Sequence, residues 1–350
     1  MNNFLIYGAN GYTGRLIVDR ALELGFKPII AGRNAKDITA LGEEKELEFR
    51  IFSLDDSNEI KKQLNGIALV IHCAGPFVHT AKNMAKACIH RSVHYLDITG
   101  EIAVFEMLQT LDTEAKVAGV MLLPGTGFDV VPSDCLAAML KEKMPEANKL
   151  EMAFTGLGVG VSHGTAATAV ENLGKANLIR ENGIIKEVPM GKLFKWVEFG
   201  PVKHHCISIP WGDVSTAFVS TGIPNITVYM GMPASMRKWM LLGNWIKPIL
   251  RSNFVKKRLR KRLDKMPAGP NTEQRKNGKS YFWGEASDAS GNKVSLRLQT
   301  SEGYTLTAIS AVHIATKVLN GNLKTGFQTP SGAYGSGLVL EVEGSSMIYL

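Results

Sequence analysis

Phe4-Leu5-Ile6-Tyr7 is a short apolar run that stops at Gly8, the pattern of a strand buried on both faces. Gly14–Leu24 then repeats apolar residues at helical spacing, with Leu16, Ile17, Ala21 and Leu24 on one side and Gly25 as the stop. The same alternation continues. Strands are predicted at Pro28–Ala31, Leu47–Phe52, Ala68–Ala74, Val93–Asp97 and Val120–Leu123, and helices at Lys36–Leu41, Ser57–Leu64, Lys82–His90 and Val104–Ala118. Strands alternating with helices predict a parallel, doubly wound α/β sheet of the Rossmann type over residues 1–130.

Beyond Pro132 the rhythm changes. A helix is expected at Cys135–Met144, with Pro132, Ser133 and Asp134 as its N-cap region. Leu150–Leu157, Ile207–Ile209, Ile226–Met230 and Val294–Thr300 have strand character with little helix between them, and two helices, Gly164–Arg180 and Gly303–Leu319, interrupt the series. Residues 131–350 are therefore expected to form a second α+β domain with a mixed, largely antiparallel sheet, for substrate binding or dimerisation. Helix 303–319 is a candidate to pack back on the first domain. A homodimer is one expected assembly.

Gly8-Ala9-Asn10-Gly11-Tyr12-Thr13-Gly14 stands between the first strand and the first helix. Glycines at this spacing let backbone approach a pyrophosphate where no Cβ fits, and the helix that follows turns its N–H groups and positive dipole end toward the anion. Gly8, Asn10, Gly11, Tyr12, Thr13 and Gly14 are thus candidate cofactor residues. NAD-selective units place an acid at the end of the second strand; here Ala31-Gly32-Arg33-Asn34 has none, and Arg33 can pair with a 2′-phosphate. NADP(H) is the expected cofactor, with Arg33 and Asn34 at its ribose and Asp55 near its adenine. Ala74, Gly75, Pro76 and Phe77 follow the fourth strand, where the chain passes the pyrophosphate and nicotinamide ribose, although Gly-Pro also serves as a plain strand stop.

These segments carry a family resemblance. GANGYTGRL (8–16), AGRN (31–34), CAGPF (73–77), HYLDITGE (94–101), PGTGFDVVPSD (124–134), SHGTAATAVE (162–171) and TPSGAYGSGLVLEV (329–342) resemble the saccharopine dehydrogenase-like oxidoreductases, which include the trans-acting enoyl reductases. The resemblance runs almost end to end, with a weak middle between Ile184 and Lys279. It implies a two-domain NADP-type oxidoreductase and does not fix the substrate. Short-chain dehydrogenase chemistry is disfavoured directly, because none of the eight tyrosines has a lysine four residues later.

The catalytic candidates are Asp97 and Glu101, leaving the fifth strand at the carboxyl edge, and His163, directly before a helix carrying Thr165, Thr168 and Glu171. Asp97 and Glu101 serve equally well as helix caps. Gly125–Asp129 leaves the sixth strand on the same edge. His204-His205-Cys206 is read as a loop without metal, since no partner cluster accompanies it. A multi-carboxylate substrate such as saccharopine calls for several arginines, which the cleft segments lack. The leading expectation is hydride transfer to an enoyl, acyl or other lipid-like substrate, free or carrier-bound. An imine or keto-acid reductase and a non-catalytic NADP(H)-binding sensor or scaffold are the alternatives.

Charge alters this picture in one place. The chain has a net charge of +8, while Met236–Lys265 alone carries eleven Lys or Arg against Asp264, a local +10 that leaves −2 elsewhere. A general nucleic-acid role thereby loses its basis. The segment also holds Trp239, Leu242, Trp245, Ile249 and Phe254, which suits an amphipathic face on an anionic membrane, a docking patch for an acidic acyl-carrier protein, or a solvated helical face. The N-terminus lacks the pattern of a signal peptide and no long apolar run occurs, so a cytoplasmic protein is expected, with peripheral membrane contact through 236–265 as the alternative location.

Overall fold

A computed structural model describes residues 3–157, 162–243, 245, 247–263 and 268–349. Its contacts divide the chain into two compact units, one of 1–131 with 304–333, the other of 132–303 with 334–350.

In the first unit, β1 (Phe4–Tyr7), α1 (Tyr12–Glu23), β2 (Ile29–Gly32), α2 (Ala35–Lys45), β3 (Phe49–Ile51), α3 (Ser57–Gln63), β4 (Leu69–His72), α4 (Phe77–His90), β5 (His94–Asp97), α5 (Ile102–Gln109), α6 (Asp112–Val117) and β6 (Met121–Leu123) alternate along the chain. The sheet order, from its outer edge, is Gly326–Phe327, β6, β5, β4, β1, β2, β3, and every pair is parallel. Both faces are covered, so β1, β2 and β4 are buried at every position, which explains their unbroken apolar runs. Ala81, Met84, Ala85 and Cys88 of α4 join Val70, Tyr95 and Phe105 in the core beneath. The order reverses between β1 and β4, and all the loops from Gly8 to Asp129 that leave strand ends lie along the one carboxyl edge.

The helix expected over Val104–Ala118 is two, α5 and α6, broken at Thr110-Leu111. The one expected from Lys82 begins earlier, at Phe77, directly after the Gly75–Pro76 turn, whose peptide bond is cis.

The second unit opens with α7 (Val131–Lys143), followed by β7 (Lys149–Leu157), α8 (His163–Glu171), β8 (Asn177–Glu181), β9 (Ile184–Val188), β10 (Phe194–Glu198), β11 (Lys203–Ser208), α9 (Asp213–Thr221), β12 (Asn225–Gly231), α10 (Ala234–Gly243), α11 (Lys247–Arg251), α12 (Asn253–Leu263), α13 (Thr272–Asn277), β13 (Lys279–Ser287) and β14 (Lys293–Ser301). α14 (Gly303–Leu319), β15 (Gly326–Phe327), α15 (Pro330–Tyr334) and β16 (Ser346–Met347) complete the chain. The sheet runs β10, β11, β12, β7, β13, β14, β16, with β8 and β9 attached through β12. Among the described residues only β12 and β7 pair in parallel, so the sheet is mixed and largely antiparallel, as the strand pattern predicts.

Several expectations fail here for physical reasons. The helix expected over Gly164–Arg180 ends at Glu171, and Asn177–Glu181 is a strand whose buried Arg180 donates to the Val214 and Gly183 carbonyls. His204, His205 and Cys206 lie on β11, not in a loop: His205 is buried and stacks on Phe194, so the pair is part of sheet packing. Asp134 lies inside the first turn of α7, which begins four residues before the expected start at Cys135; the residue is buried and accepts from the Ser220 hydroxyl. Helices α9 to α13 interrupt the strands far more often than the two expected helices allow. Ile246, Asp264 and Lys265 of the basic segment lie outside the described residues.

β13, which the strand pattern misses, is central and pairs over nine residues with both β7 and β14. Its Gly284 admits α7 at close range: a Cβ there would stand 2.6 Å from Leu140 Cδ1 and 3.3 Å from Leu136 Cδ2. Gly284→Val is therefore expected to cost about 1–3 kcal/mol by overpacking. A lower midpoint in urea denaturation checks this, and an unchanged midpoint refutes it.

Candidate functional site

The chain reverses between β1 and β4, and there the carboxyl edge opens for a ligand. Gly8 has φ +84°, and a Cβ on it would stand 2.9 Å from the Ala74 nitrogen at the end of β4. At Gly14 a Cβ would meet the Gly8 carbonyl oxygen at 2.2 Å. Both glycines are thus required by close backbone approach, and together they form the tight cradle that a pyrophosphate needs. No side chain caps α1, and its first turn contains no acid, so its N-terminal dipole end is left for an anion.

The other helix at this point is treated differently. Glu101 reaches from the β5 loop to the start of α4, where its two oxygens accept from the Phe77 and Val78 N–H groups at 2.8 and 3.1 Å. The α4 terminus is therefore neutralised by a protein carboxylate, and the phosphate position belongs to α1. Glu101 does act as a cap, but on α4 and not on α5, the helix that follows it in the chain.

Asn34 caps α2, accepting from the Asp37 N–H and donating to its carboxylate at 2.6 Å. Asn10 Nδ2 points to the same Asp37 oxygen at 3.4 Å. In the sequence Asp37 is marked only by the capping pattern Asn34-x-x-Asp37; its Oδ2 is shared between the two asparagines. Arg33 is exposed beside this network. Arg33 and Asp55 both act electrostatically on the Tyr7 hydroxyl, whose burial pushes it up to about 12 while it donates to the Phe52 carbonyl. The two candidates therefore flank the same β1/β3 end of the edge. Asp55 is exposed and accepts from the Ser53 hydroxyl. Tyr12 meets Tyr304 edge-on at 5.1 Å, and Thr13 is half-buried on α1.

Asp97 is fully buried and its carboxylate is engaged. Oδ1 accepts from the Thr99 and Gly125 N–H groups at 3.0 and 2.9 Å, and Oδ2 accepts from Tyr95 Oη at 2.7 Å. Its main-chain carbonyl takes both the N–H and the hydroxyl of Thr126. Burial outweighs these bonds and raises its pKa to about 6. Expected from sequence as a catalytic candidate, Asp97 is instead a fastener joining the β5 and β6 loops, because no face of it is open to a substrate.

That fastening sets the position of Asp129. The loop carrying it is also held from α14, where Thr307 Oγ1 accepts from the Phe128 N–H and Ser310 donates to the Thr126 carbonyl. Asp129 lies over Gly100 so closely that a Cβ there would be 2.5 Å from Oδ2. Burial, reinforced by the nearby Glu101 charge, pushes its pKa up to about 7. From sequence Asp129 is visible only as part of a loop on this edge; the close-packed Gly100 is the signal that pairs it with Glu101.

His163 is half-buried at the start of α8 in the second unit, its N–H bonded to the Ala268 carbonyl, while Ser162 caps the helix through the Thr165 N–H. Glu171 is committed to Lys256 at 3.3 Å. Within the first unit the structure brings together the glycine loop, Ala74–Phe77, Glu101 and Asp129; His163 belongs to the other unit.

Comparison with known proteins agrees with this geometry. Residues 4–123 match the family model of the saccharopine dehydrogenase NADP binding domain. The human saccharopine dehydrogenase-like oxidoreductase is 24% identical over 217 residues, 54% of this chain and 50% of that one. A lipid droplet localized protein of Caenorhabditis elegans is 26% identical over 213 residues, 55% and 49% of the two chains. A trans-acting enoyl reductase of Mycobacterium leprae (strain TN) is 23% identical over 163 residues, 44% and 39%. The chain spans about half the length of the curated relatives it matches. Among solved structures, apo saccharopine dehydrogenase (L-Glu forming) from Saccharomyces cerevisiae has the same fold, with a TM-score of 0.67 at 11% identity over 100% of both chains. The cofactor of the N-terminal unit is NADP(H), which the cradle and the uncapped α1 fit.

Arg33→Ala is expected to weaken NADPH binding about tenfold or more and to leave NADH binding nearly unchanged, since a lost charge-assisted pair to the 2′-phosphate affects only the former. Fluorescence titration with both nucleotides measures the ratio. Equal loss for the two would place Arg33 away from the 2′-phosphate.

Proposed function

We propose that this chain, with its saccharopine dehydrogenase-type NADP-binding domain, is an NADP(H)-dependent oxidoreductase acting on an enoyl or other acyl, lipid-like substrate. The observation that carries the chemistry is Asp129, a carboxyl group poised near neutrality on the carboxyl edge that bears the phosphate cradle. NADPH supplies the hydride. Once hydride has been added to the far carbon of a conjugated enoyl group, the electron pair displaced toward the carbonyl needs a proton. Asp129, pushed up to about 7 by burial and further by the charge of Glu101, retains a proton in a large share of molecules at neutral pH and can supply it.

The substrate class rests on two supports. The edge loops 74–77, 98–101 and 124–130 contain acids and no Lys or Arg, so a substrate with several carboxylates would be repelled there. Relatives bearing the names trans-acting enoyl reductase and lipid droplet localized protein point to acyl chemistry. Four unpaired cysteines suit a reducing compartment such as the cytoplasm. Among the described residues no helix is long and apolar enough to cross a membrane.

NADPH oxidation across enoyl, keto and imino substrates tests the proposal. Turnover with an acyl-chain enoyl thioester supports it; NADPH binding without turnover of any class leaves a cofactor-holding protein instead. With the preferred substrate, turnover is expected to fall as pH rises through about 7, where Asp129 loses its proton. Asp129→Asn is expected to lower kcat by roughly 10²–10⁴-fold and to abolish that inflection, with NADPH affinity intact. Gly100→Ala, which displaces the Asp129 carboxylate, is expected to lower kcat with the fold preserved.

The same shift has a stability consequence of definite sign. Asp129 binds its proton more tightly folded than unfolded, so folding stability falls as pH climbs from about 4 toward about 7. Asp129→Asn removes this loss, and its Tm is expected to exceed the parent's above pH 7 and to match it near pH 4. Identical Tm differences at both pH values would contradict the raised pKa.

A further inference from the structure

The basic, aromatic segment belongs to the second unit, and its three helices have a defined inner side within that unit. On α10, Arg237 donates to the Gly191 carbonyl at 3.0 Å and its guanidinium lies 3.6 Å over the Phe194 ring, while Met240 and Leu241 close on Gly191. On α11, Arg251 donates to the Gly174 carbonyl at 3.0 Å. On α12, Lys256 reaches the Glu171 carboxylate and carbonyl. Each helix is thus moored by a cation, and the opposite sides are left outward.

Those outward sides carry large apolar groups. Trp239 is 69% exposed, Trp245 86%, Ile249 61% and Phe254 75%, with Met236 and Leu242 also exposed on α10. Phe254 shares its helical face with Lys257, Arg258 and Lys261, at spacings of three, four and seven residues. From Arg237 to Arg262 the chain has ten Lys or Arg and no acid. Exposed aromatic rings grouped in one short stretch of the chain mark a surface meant to be covered.

We propose that the outer face of α10, α11 and α12 docks on an anionic phospholipid surface, with Trp239, Trp245 and Phe254 at headgroup depth and the lysines and arginines on lipid phosphates and carboxylates. Charge complementarity commits the face to an anionic occupant, and a second copy meeting it face to face would set Lys238, Lys257, Arg258, Lys261 and Arg262 against their own like charges. Aromatic rings standing outward on short helices match a fluid interfacial layer, in which indoles settle at the headgroup level. A protein partner instead anchors such rings in shaped pockets of its own. The proposal is independent of the substrate reading, because it concerns where the second unit binds and not what is reduced.

Cosedimentation of the full chain with vesicles of phosphatidylcholine alone, or containing roughly a quarter phosphatidylserine, tests it; the anionic vesicles are expected to bind about tenfold or more tightly, less so as salt rises. Tryptophan emission should shift to the blue on binding and be quenched by brominated acyl chains. The triple variants Trp239→Ser/Trp245→Ser/Phe254→Ser and Lys257→Glu/Arg258→Glu/Lys261→Glu should each lose about tenfold or more in vesicle affinity with NADPH binding unchanged, the latter showing that both still fold. Absence of binding by the parent at low salt, undiminished binding by both variants, or capture by heparin or an acidic protein without capture by anionic vesicles would each overturn it.

Discussion

The buried carboxylate of Asp97 is the constraint on which the edge of the first unit depends. It accepts from three buried donors, the Thr99 and Gly125 N–H groups and the Tyr95 hydroxyl. Leaving a buried donor unpaired costs about 1–3 kcal/mol, so two loops that would otherwise fray are held as one. Glu101 and Asp129 sit on those two loops. Their separation, and hence the Glu101 charge that adds to burial in raising the Asp129 pKa, follows from a residue that itself touches nothing outside the fold.

A second constraint is electrostatic and divides two helix N-termini between two anions. α4 is given the Glu101 carboxylate, and α1 is left without a side-chain cap or an acid in its first turn. Because a helix N-terminus favours negative charge, of these two termini it is that of α1 which a phosphate finds open. The glycines at 8 and 14 then allow the approach, and the ends of β1 and β4 are too close for any side chain to intervene. Cofactor position is thus determined by what the protein has already neutralised as much as by what it leaves open.

The cofactor half was legible in the sequence because its requirements are local. Gly8 to Gly14 and Arg33 act within one βαβ unit, and period and punctuation identify both. What escaped was non-local. Asp97 acquires its role from Gly125, 28 residues on, and Asp129 from its packing over Gly100. β13 was hidden because a strand paired on both sides and buried from Ser280 to Gly284 shows no alternation, and its glycine reads as a turn until α7 is seen to need the space. The expected helix over Gly164–Arg180 failed for a related reason: Arg180 looks like a helical surface charge but is buried under hydrogen bonds to carbonyls and a 4.2 Å contact with the Phe218 ring. His205 misled similarly, since a histidine in a polar triplet reads as loop until its ring is found stacked in a sheet.

The chemistry of the edge also separates what the fold shares with saccharopine dehydrogenase from what this chain is suited to do. A fold match at 11% identity transfers a scaffold and leaves the site to its own residues. Here that site presents acids: Glu101 engaged as the α4 cap, and Asp129, whose carboxyl group is pushed up to about 7 by burial and further by the Glu101 charge. On the function proposed above, such a pair disfavours anionic substrates and can supply a proton to a neutral one. A conjugated acyl group is neutral at its reacting carbons and needs one hydride and one proton, which is the combination that an NADP(H) cradle and a protonated carboxyl group on one sheet edge provide.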